Sequence, residues 1–104
     1  ERIFLVEGPF DVMRMACLGF LNTVALMGTS LSNDHARKLI NLGQPVYLML
    51  DGDAGGERGT AKAIEELRGK VMSLHECKLP TGKDPGDLSD EELKTAIDNS
   101  RIIM

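Results

Sequence analysis

Short hydrophobic runs alternate with amphipathic segments along the whole chain. Each strand is predicted from a run of apolar residues bounded by turn residues, at 3–6, 22–26, 46–50 and 71–77. Residues 101–104 add a short closing strand. The alternating order predicts an α/β fold of three layers, α/β/α, around a mainly parallel sheet of about four strands with right-handed crossovers.

Helical spacing between the strands predicts which face of each helix is buried. Pro9 suits the first turn of helix one, Ser32 caps helix two, and Ser89 with Glu92 forms a capping box for helix four. Helix three is expected to begin only near Glu57, after a flexible glycine turn. The predicted inner faces are Phe10, Met13 and Cys17; Ala36, Leu39 and Ile40; Ala61, Ile64 and Leu67; and Leu93, Ala96 and Ile97.

Length and composition indicate one compact domain. The 104 residues are 42% hydrophobic and 27% charged, and no apolar stretch approaches the roughly 18 residues that span a bilayer, so no membrane segment is expected. Cys17 and Cys77 are far apart and form no CxxC pair. A reducing, cytoplasmic setting fits this cysteine usage.

The charge balance argues against this chain alone gripping a nucleic acid. Twelve basic and 16 acidic residues give a net charge of −4, whereas phosphate backbones are usually bound by a clustered basic face. The four aromatic residues are assigned to core packing rather than to base stacking. They are Phe4, Phe10, Phe20 and Tyr47.

Acidic residues follow two of the predicted strands directly. Asp51-Gly52-Asp53 comes after residues 46–50, and Glu7 comes after residues 3–6. The carboxyl ends of parallel strands share one edge of a sheet, where ligands bind. Carboxylates gathered there raise one another's pKa unless a cation neutralises them, and Mg²⁺ prefers such oxygen ligands. A metal site is predicted, although Asp and Gly would also suit a plain turn.

Neighbouring residues extend this prediction. Gly52 is expected to leave room for a phosphate, and Asp11 to interact with the N-terminus of helix one rather than with a metal. Asp84 and Asp87 lie in the loop at 79–88, which opens on the same edge. Lys83 beside them is a candidate phosphate contact, and an ordinary solvated loop is the alternative.

Four segments together resemble the Toprim domain of bacterial DnaG-type primases and their phage relatives. They cover nearly the whole chain, and the last of them, with GTS after strand two, narrows the resemblance from Toprim proteins in general to primases. The segments are Val6-Glu7-Gly8-Pro9-Phe10-Asp11, Ala25-Leu26-Met27-Gly28-Thr29-Ser30, Asp51-Gly52-Asp53-Ala54-Gly55-Gly56 and Leu79-Pro80-Thr81-Gly82-Lys83-Asp84-Pro85.

The resemblance implies synthesis of short RNA primers on single-stranded DNA from nucleoside triphosphates. It implies that Glu7 acts as general acid/base or metal ligand, and that Asp51, Asp53 and Asp84 hold two Mg²⁺ or Mn²⁺ ions during nucleotidyl transfer. The family's DPD is altered here, because Gly86 separates Pro85 from the next aspartate. Asp87 is the candidate replacement ligand.

The resemblance also implies parts that these 104 residues do not include. Those parts are a zinc-ribbon template reader, a basic subdomain and a tail that binds the replicative helicase. Residues 1–104 are therefore expected to be a single Toprim catalytic domain of a larger primase, with little or no priming activity in isolation.

Three other functions fit some of these residues. A Toprim nuclease acting on RNA or DNA shares the acidic motifs. A receiver-like phospho-acceptor module shares an acid after strand one and Asp51 after strand three, but no suitable Ser, Thr or Lys follows strands four and five. A haloacid-dehalogenase-type phosphatase would need Thr or Val where Gly55 stands.

Overall fold

The computed structural model describes residues 1–27 and 31–103, which form five strands and four α-helices. The Gly28-Thr29-Ser30 segment of the resemblance lies outside the described residues. The strands are β1 (Ile3–Val6), β2 (Thr23–Ala25), β3 (Val46–Leu48), β4 (Leu74–Glu76) and β5 (Arg101–Ile102). The helices are α1 (Pro9–Cys17), α2 (Asn33–Leu42), α3 (Ala54–Leu67) and α4 (Asp90–Asp98), with a 3-10 helix at Pro85–Asp87.

The strands form one sheet in the order β2-β1-β3-β4-β5. The first four strands run parallel, and β5 pairs antiparallel with β4. The predicted α/β fold is confirmed, with five strands in place of about four. Strands two, three and four are shorter than predicted. Met49 and Leu50 remain buried beyond the end of β3, and the N–H of Met49 still donates to the carbonyl of Leu5, whereas Met72, ahead of β4, is exposed.

Helices cover both faces of the sheet, which explains the unbroken apolar run in β1. Ile3 and Leu5 pack on the side of α2 and α3, whereas Phe4 and Val6 pack on the side of α1 and α4. Consecutive strand residues point to opposite faces, so a strand covered twice needs apolar residues at every position. Full burial of each such side chain contributes about 1.5–3 kcal/mol.

Helix α1 buries a different face from the predicted one. Phe10, Met13 and Cys17 are exposed, while Asp11 and Met15 are buried. Apart from Asp11 and Arg14, the residues of this helix are apolar and cover more than half of its circumference, so their spacing alone does not fix which part is buried. Hydrophobic spacing would not assign an aspartate to an inner face, but the Asp11 carboxylate turns back to the helix start. Because Phe10 is exposed, it is not a core aromatic residue as predicted.

Helix α3 begins one turn earlier than predicted. The expected flexible turn at 54–56 is its first turn, and its inner face is built from Gly56, Gly59, Ala63 and Leu67, with Ala61 exposed. Glycine disfavours helices, so these residues indicate a loop. At Gly56, close approach to the Asp51 carbonyl requires glycine within the helix.

The remaining helix predictions agree with the structure. Helix α2 is capped by Ser32 and buries Ala36 and Leu39, and α4 is capped by Ser89 and buries Leu93 and Ile97. No helix in the described part of the chain combines the length and apolar content needed to cross a membrane.

Candidate metal and phosphate site

The ends of the two central strands bring Glu7 and Asp51 into contact. Strands β1 and β3 are neighbours, with Leu5 opposite Leu48, so the residues that follow them emerge side by side. The backbone N–H of Asp51 donates to Oε2 of Glu7 at 3.3 Å. The two acidic motifs therefore meet at the sheet edge as predicted.

The Asp51 carboxyl group lies in an environment that disfavours its charge. Its Oδ1 is buried and has no hydrogen-bond partner among the described residues. The pKa of Asp51 is raised to about 8, chiefly by burial, then by hydrogen bonding and charge from the Glu7 carboxyl, with smaller repulsion from Asp11 and Asp84. A cation at this oxygen would relieve both the missing contact and the repulsion.

Asp11 is buried at the same edge, although its burial was not predicted. Its Oδ2 accepts a hydrogen bond of 3.2 Å from the N–H of Gly8, which is the helix-start role expected from the sequence. Burial raises the pKa of Asp11, the hydrogen bond from Gly8 opposes this, and the charges of Asp84, Glu7 and Asp87 raise it again. Asp11 thus belongs to the acidic group.

Asp53 caps helix α3. Its Oδ1 accepts a hydrogen bond of 2.7 Å from the N–H of Gly56, while the residue as a whole is exposed. A carboxylate in this position also interacts favourably with the helix dipole. Asp51 and Asp53 therefore have different surroundings, and only the second oxygen of Asp53 is free of the cap.

Gly52 has another role than the predicted one. Its N–H donates to the carbonyl of Lys83 at 2.8 Å, and its own carbonyl accepts from the N–H of Gly82 at 2.6 Å. A Cβ on Gly52 would lie 2.2 Å from the carbonyl oxygen of Pro80. The space expected for a phosphate is filled by the 80–83 backbone, so Gly52 fastens that loop to the acidic turn.

Gly56 is a site residue that the sequence interpretation missed. A Cβ there would lie 1.8 Å from the carbonyl oxygen of Asp51, so only glycine lets helix α3 start directly beneath this residue. The available signal was a glycine three residues after an aspartate that can cap a helix. At Gly55 a Cβ would meet nothing nearer than Oδ1 of Asp53 at 3.4 Å, so alanine fits there.

Asp84 and Asp87 cap each other across the short 3-10 helix. The N–H of Asp84 donates to Oδ2 of Asp87, and the N–H of Asp87 donates to Oδ1 of Asp84, both at 3.1 Å. Lys83 is exposed. Hydrogen bonds from Ser89 hold the pKa of Glu92 below its usual value, and the charge of Lys83 adds to this effect.

The carboxylates do not form a closed metal cage. Within residues 1–27 and 31–103, no three His, Cys, Asp or Glu side chains are grouped as a complete metal site. Mg²⁺ is often held by one or two carboxylates, with waters and substrate phosphates completing its shell, which this open edge permits. The cavity beside Asp51 measures about 50 Å³, too small for a nucleotide, which would have to lie across the open edge.

Comparison with known proteins adds a family to this geometry. The model of the family described as "Toprim-like" matches residues 4–89. The DNA primase of Chlamydia muridarum is 35% identical over 103 residues, covering 94% of this chain and 17% of the primase. The DNA primase of Staphylococcus epidermidis is 39% identical over 87 residues, covering 84% of this chain and 14% of the primase.

The solved structures that this chain resembles are also of primases. The zinc-binding and RNA polymerase domains of the Aquifex aeolicus primase align with a TM-score of 0.85 and 33% identity, covering 98% of this chain and 26% of that one. A DNA primase domain from Pseudomonas aeruginosa aligns with a TM-score of 0.85 and 28% identity, over 99% of this chain and 35% of that one. A DnaG primase catalytic domain bound to single-stranded DNA aligns with a TM-score of 0.76 and 27% identity, covering 97% of this chain and 34% of that one.

Proposed function

The chain belongs to the Toprim-like family, and from this premise we propose that it is the catalytic Toprim core of a DNA primase. The proposed reaction is divalent-ion-dependent nucleotidyl transfer that builds short RNA primers on single-stranded DNA for replication. The chain spans 17% of the length of the Chlamydia muridarum primase. We assign residues 1–104 to one catalytic domain within such a longer, cytoplasmic enzyme.

The contact between Glu7 and Asp51 is the observation that carries this proposal. An unpartnered, buried carboxylate oxygen beside a second carboxyl group fits a hard divalent cation. The residues that would hold Mg²⁺ or Mn²⁺ are Glu7, Asp51, Asp53 and Asp84, with Asp87 as a further ligand. Two such ions, when bound, lower the pKa of the attacking hydroxyl and neutralise charge on the phosphates.

Main-chain and side-chain groups have different roles at the site. The Asp51 N–H holds one oxygen of Glu7 and leaves the other for an ion or for the proton of a primer hydroxyl. The Gly52 contacts hold the loop that carries Asp84 and Lys83 next to Asp51. Lys83 is exposed on that loop, where its ammonium group can meet a triphosphate.

Nucleic acid must be held largely by other parts of the full-length protein. The net charge of −4 and the acidic edge repel a phosphate backbone. We propose that flanking domains hold the template and primer, that another domain contacts the replicative helicase, and that the 104-residue chain alone primes weakly or not at all. The ssDNA-bound DnaG neighbour supports the template assignment.

Membership of the Toprim-like family sets aside the receiver-like and phosphatase alternatives, because neither is a Toprim protein. A Toprim nuclease acting on RNA or DNA remains the competing function, since it would use the same acids. The primase relatives favour synthesis over cleavage.

The deciding experiment assays the full-length protein for both reactions. Wild type with Mg²⁺ or Mn²⁺ should synthesise short RNA primers from nucleoside triphosphates on a single-stranded DNA template, and Asp51→Asn should lower the rate about 100-fold or more. Asp98→Asn, which removes an exposed carboxylate at the end of α4, is the matched control and should retain the rate. Cleavage of RNA or DNA without synthesis would replace the primase assignment with a nuclease.

A further inference from the structure

Arg14 connects helix α1 to the segment that carries Asp84 and Asp87. Its Nη2 donates to the carbonyl of Leu88 at 2.9 Å and pairs with Oδ1 of Asp90 at 2.7 Å. The Arg14 side chain is only 22% exposed, whereas Asp90 is 66% exposed. Because a bond to a backbone carbonyl cannot move without the chain, Arg14 holds the main chain of this segment.

The segment has a second attachment on its other side. Gly52, in the acidic turn after β3, exchanges hydrogen bonds with Lys83 and Gly82. Asp84 and Asp87 therefore lie between two anchors: Gly52 before them in sequence and Arg14 beyond them at Leu88. One anchor is next to Asp51, and the other lies on the helix that begins after Glu7.

The mutual capping of Asp84 and Asp87 is local and exposed, so it cannot by itself place the pair relative to the sheet. Pro85 and Leu88 are buried on the α1 side of the sheet, which sets the depth of the segment. The bond from Arg14 adds a directional contact, since the guanidinium group has a rigid fork of donors. The main chain is then fixed in position as well as in depth.

We propose that Arg14 is a positioning residue that holds the Asp84–Leu88 segment against helix α1 and so sets where Asp84 and Asp87 stand relative to Glu7 and Asp51. The inference rests on the proposed function for the use of these carboxylates, but the geometric part stands on contacts alone. Groups that hydrogen-bond directly to metal ligands affect metal affinity by roughly 10- to 100-fold. Arg14 acts on the ligands through the main chain, so we expect an effect at the lower end of this range.

The test compares Arg14→Met, Arg14→Lys and Asp90→Asn in the 104-residue chain. Amide hydrogen exchange of Asp84 and Asp87 is measured by NMR without metal, and Mn²⁺ affinity is measured separately. Arg14→Met keeps the apolar stem and removes both contacts, so exchange should accelerate at Asp84 and Asp87, and Mn²⁺ affinity should fall about tenfold. The Gly56 amide, in the first turn of α3, is the internal control.

The other two variants separate the carbonyl contact from the ion pair. Arg14→Lys can still donate to Leu88 and should recover part of the affinity. Asp90→Asn loses only an exposed ion pair and should change Mn²⁺ affinity by less than about threefold.

Two results would overturn the inference. One is unchanged exchange and Mn²⁺ affinity in Arg14→Met; the other is uniform acceleration that includes Gly56, which would indicate a merely structural role. If the wild type binds no Mn²⁺ at millimolar concentration but Arg14→Met still loosens the two amides, the positioning role is upheld and the proposed metal-dependent function fails.

Discussion

The main-chain N–H of Asp51 donates to the side chain of Glu7, although 44 residues separate them in sequence. One partner contributes its backbone and the other its carboxylate, so the end of β3 determines the orientation of the acid that follows β1. The Asp51 carboxyl itself is left with a buried, unpartnered oxygen. Asp51, whose pKa is raised to about 8, therefore orients the Glu7 carboxylate directly through its main-chain N–H.

Stability should fall as the pH rises through the neutral range. The pKa of Asp51 is about 8 in the folded chain against an ordinary value of 3.8, so between these values the folded state keeps a proton that the unfolded state has lost. The free energy of unfolding should then decrease by up to about 1.4 kcal/mol per pH unit between pH 5 and 8. Urea denaturation at four pH values measures this slope.

Asp51→Asn should flatten that slope. The raised pKa of Asp11 contributes with the same sign in both proteins. Asp98→Asn should leave the slope as in the wild type. Parallel slopes for wild type and Asp51→Asn would contradict the raised pKa.

Divalent ions should reverse this loss. A cation that binds the ionised Asp51 stabilises the folded chain by about 2.7 kcal/mol at 100 times its dissociation constant. Because the ion must displace the carboxyl proton, the gain in melting temperature with Mg²⁺ should be larger at pH 8.5 than at pH 6. Asp51→Asn should lose most of the gain. An equal gain in Asp51→Asn would place the ion elsewhere.

The sheet and the meeting of its acids are predictable from sequence because both follow from simple rules. Strands buried on two faces are continuous apolar runs, and parallel strands end at one edge. These rules suffice to bring Glu7 and Asp51 together. These rules do not predict which carboxylate oxygen has a hydrogen-bond partner, since that depends on differences in side-chain position of a fraction of an ångström.

The remaining site features depend on tertiary contacts that local patterns do not encode. Gly52 and Gly56 indicate turns by composition, yet each is required by the close approach of other backbone. The carbonyl of Pro80 lies against Gly52, and the carbonyl of Asp51 lies against Gly56. The buried face of α1 is similarly ambiguous, because apolar residues cover more than half of the helix circumference. Asp11 is buried with its carboxylate accepting a hydrogen bond from the N–H of Gly8, an arrangement that hydrophobic spacing cannot anticipate.

The two adjacent glycines of α3 should respond oppositely to alanine. Gly56→Ala places a Cβ 1.8 Å from the Asp51 carbonyl oxygen and should destabilise the fold by about 3 kcal/mol or more. Gly55→Ala finds its nearest atom at 3.4 Å and should be neutral or stabilising by up to about 1 kcal/mol. Urea denaturation distinguishes them, and equal effects would contradict the close packing beneath Asp51.

Gly52→Ala should detach the 80–83 loop. Its Cβ would lie 2.2 Å from the Pro80 carbonyl oxygen, so the two hydrogen bonds at Gly52 cannot both persist. We expect a loss of about 1–3 kcal/mol and faster exchange of the Gly52 and Gly82 amides.

Gly8→Ala is the matched control for this change, because a Cβ there meets only Oδ2 of Asp11, at 3.9 Å. It should cost no more than about 1 kcal/mol. Retained protection of the Gly82 amide in Gly52→Ala would show that the loop is held in another way.

The buried face of α1 can be tested with one pair of substitutions. Phe10 is 81% exposed and Met15 is fully buried, although helical spacing assigns Phe10 to the core. Phe10→Ala should change the free energy of unfolding by no more than about 0.5 kcal/mol. Met15→Ala should cost about 2–5 kcal/mol, because it removes contacts with the core and leaves a cavity. Urea denaturation at pH 6 measures both, and a larger loss for Phe10→Ala would mean that the helix is rotated to bury the face predicted from its spacing.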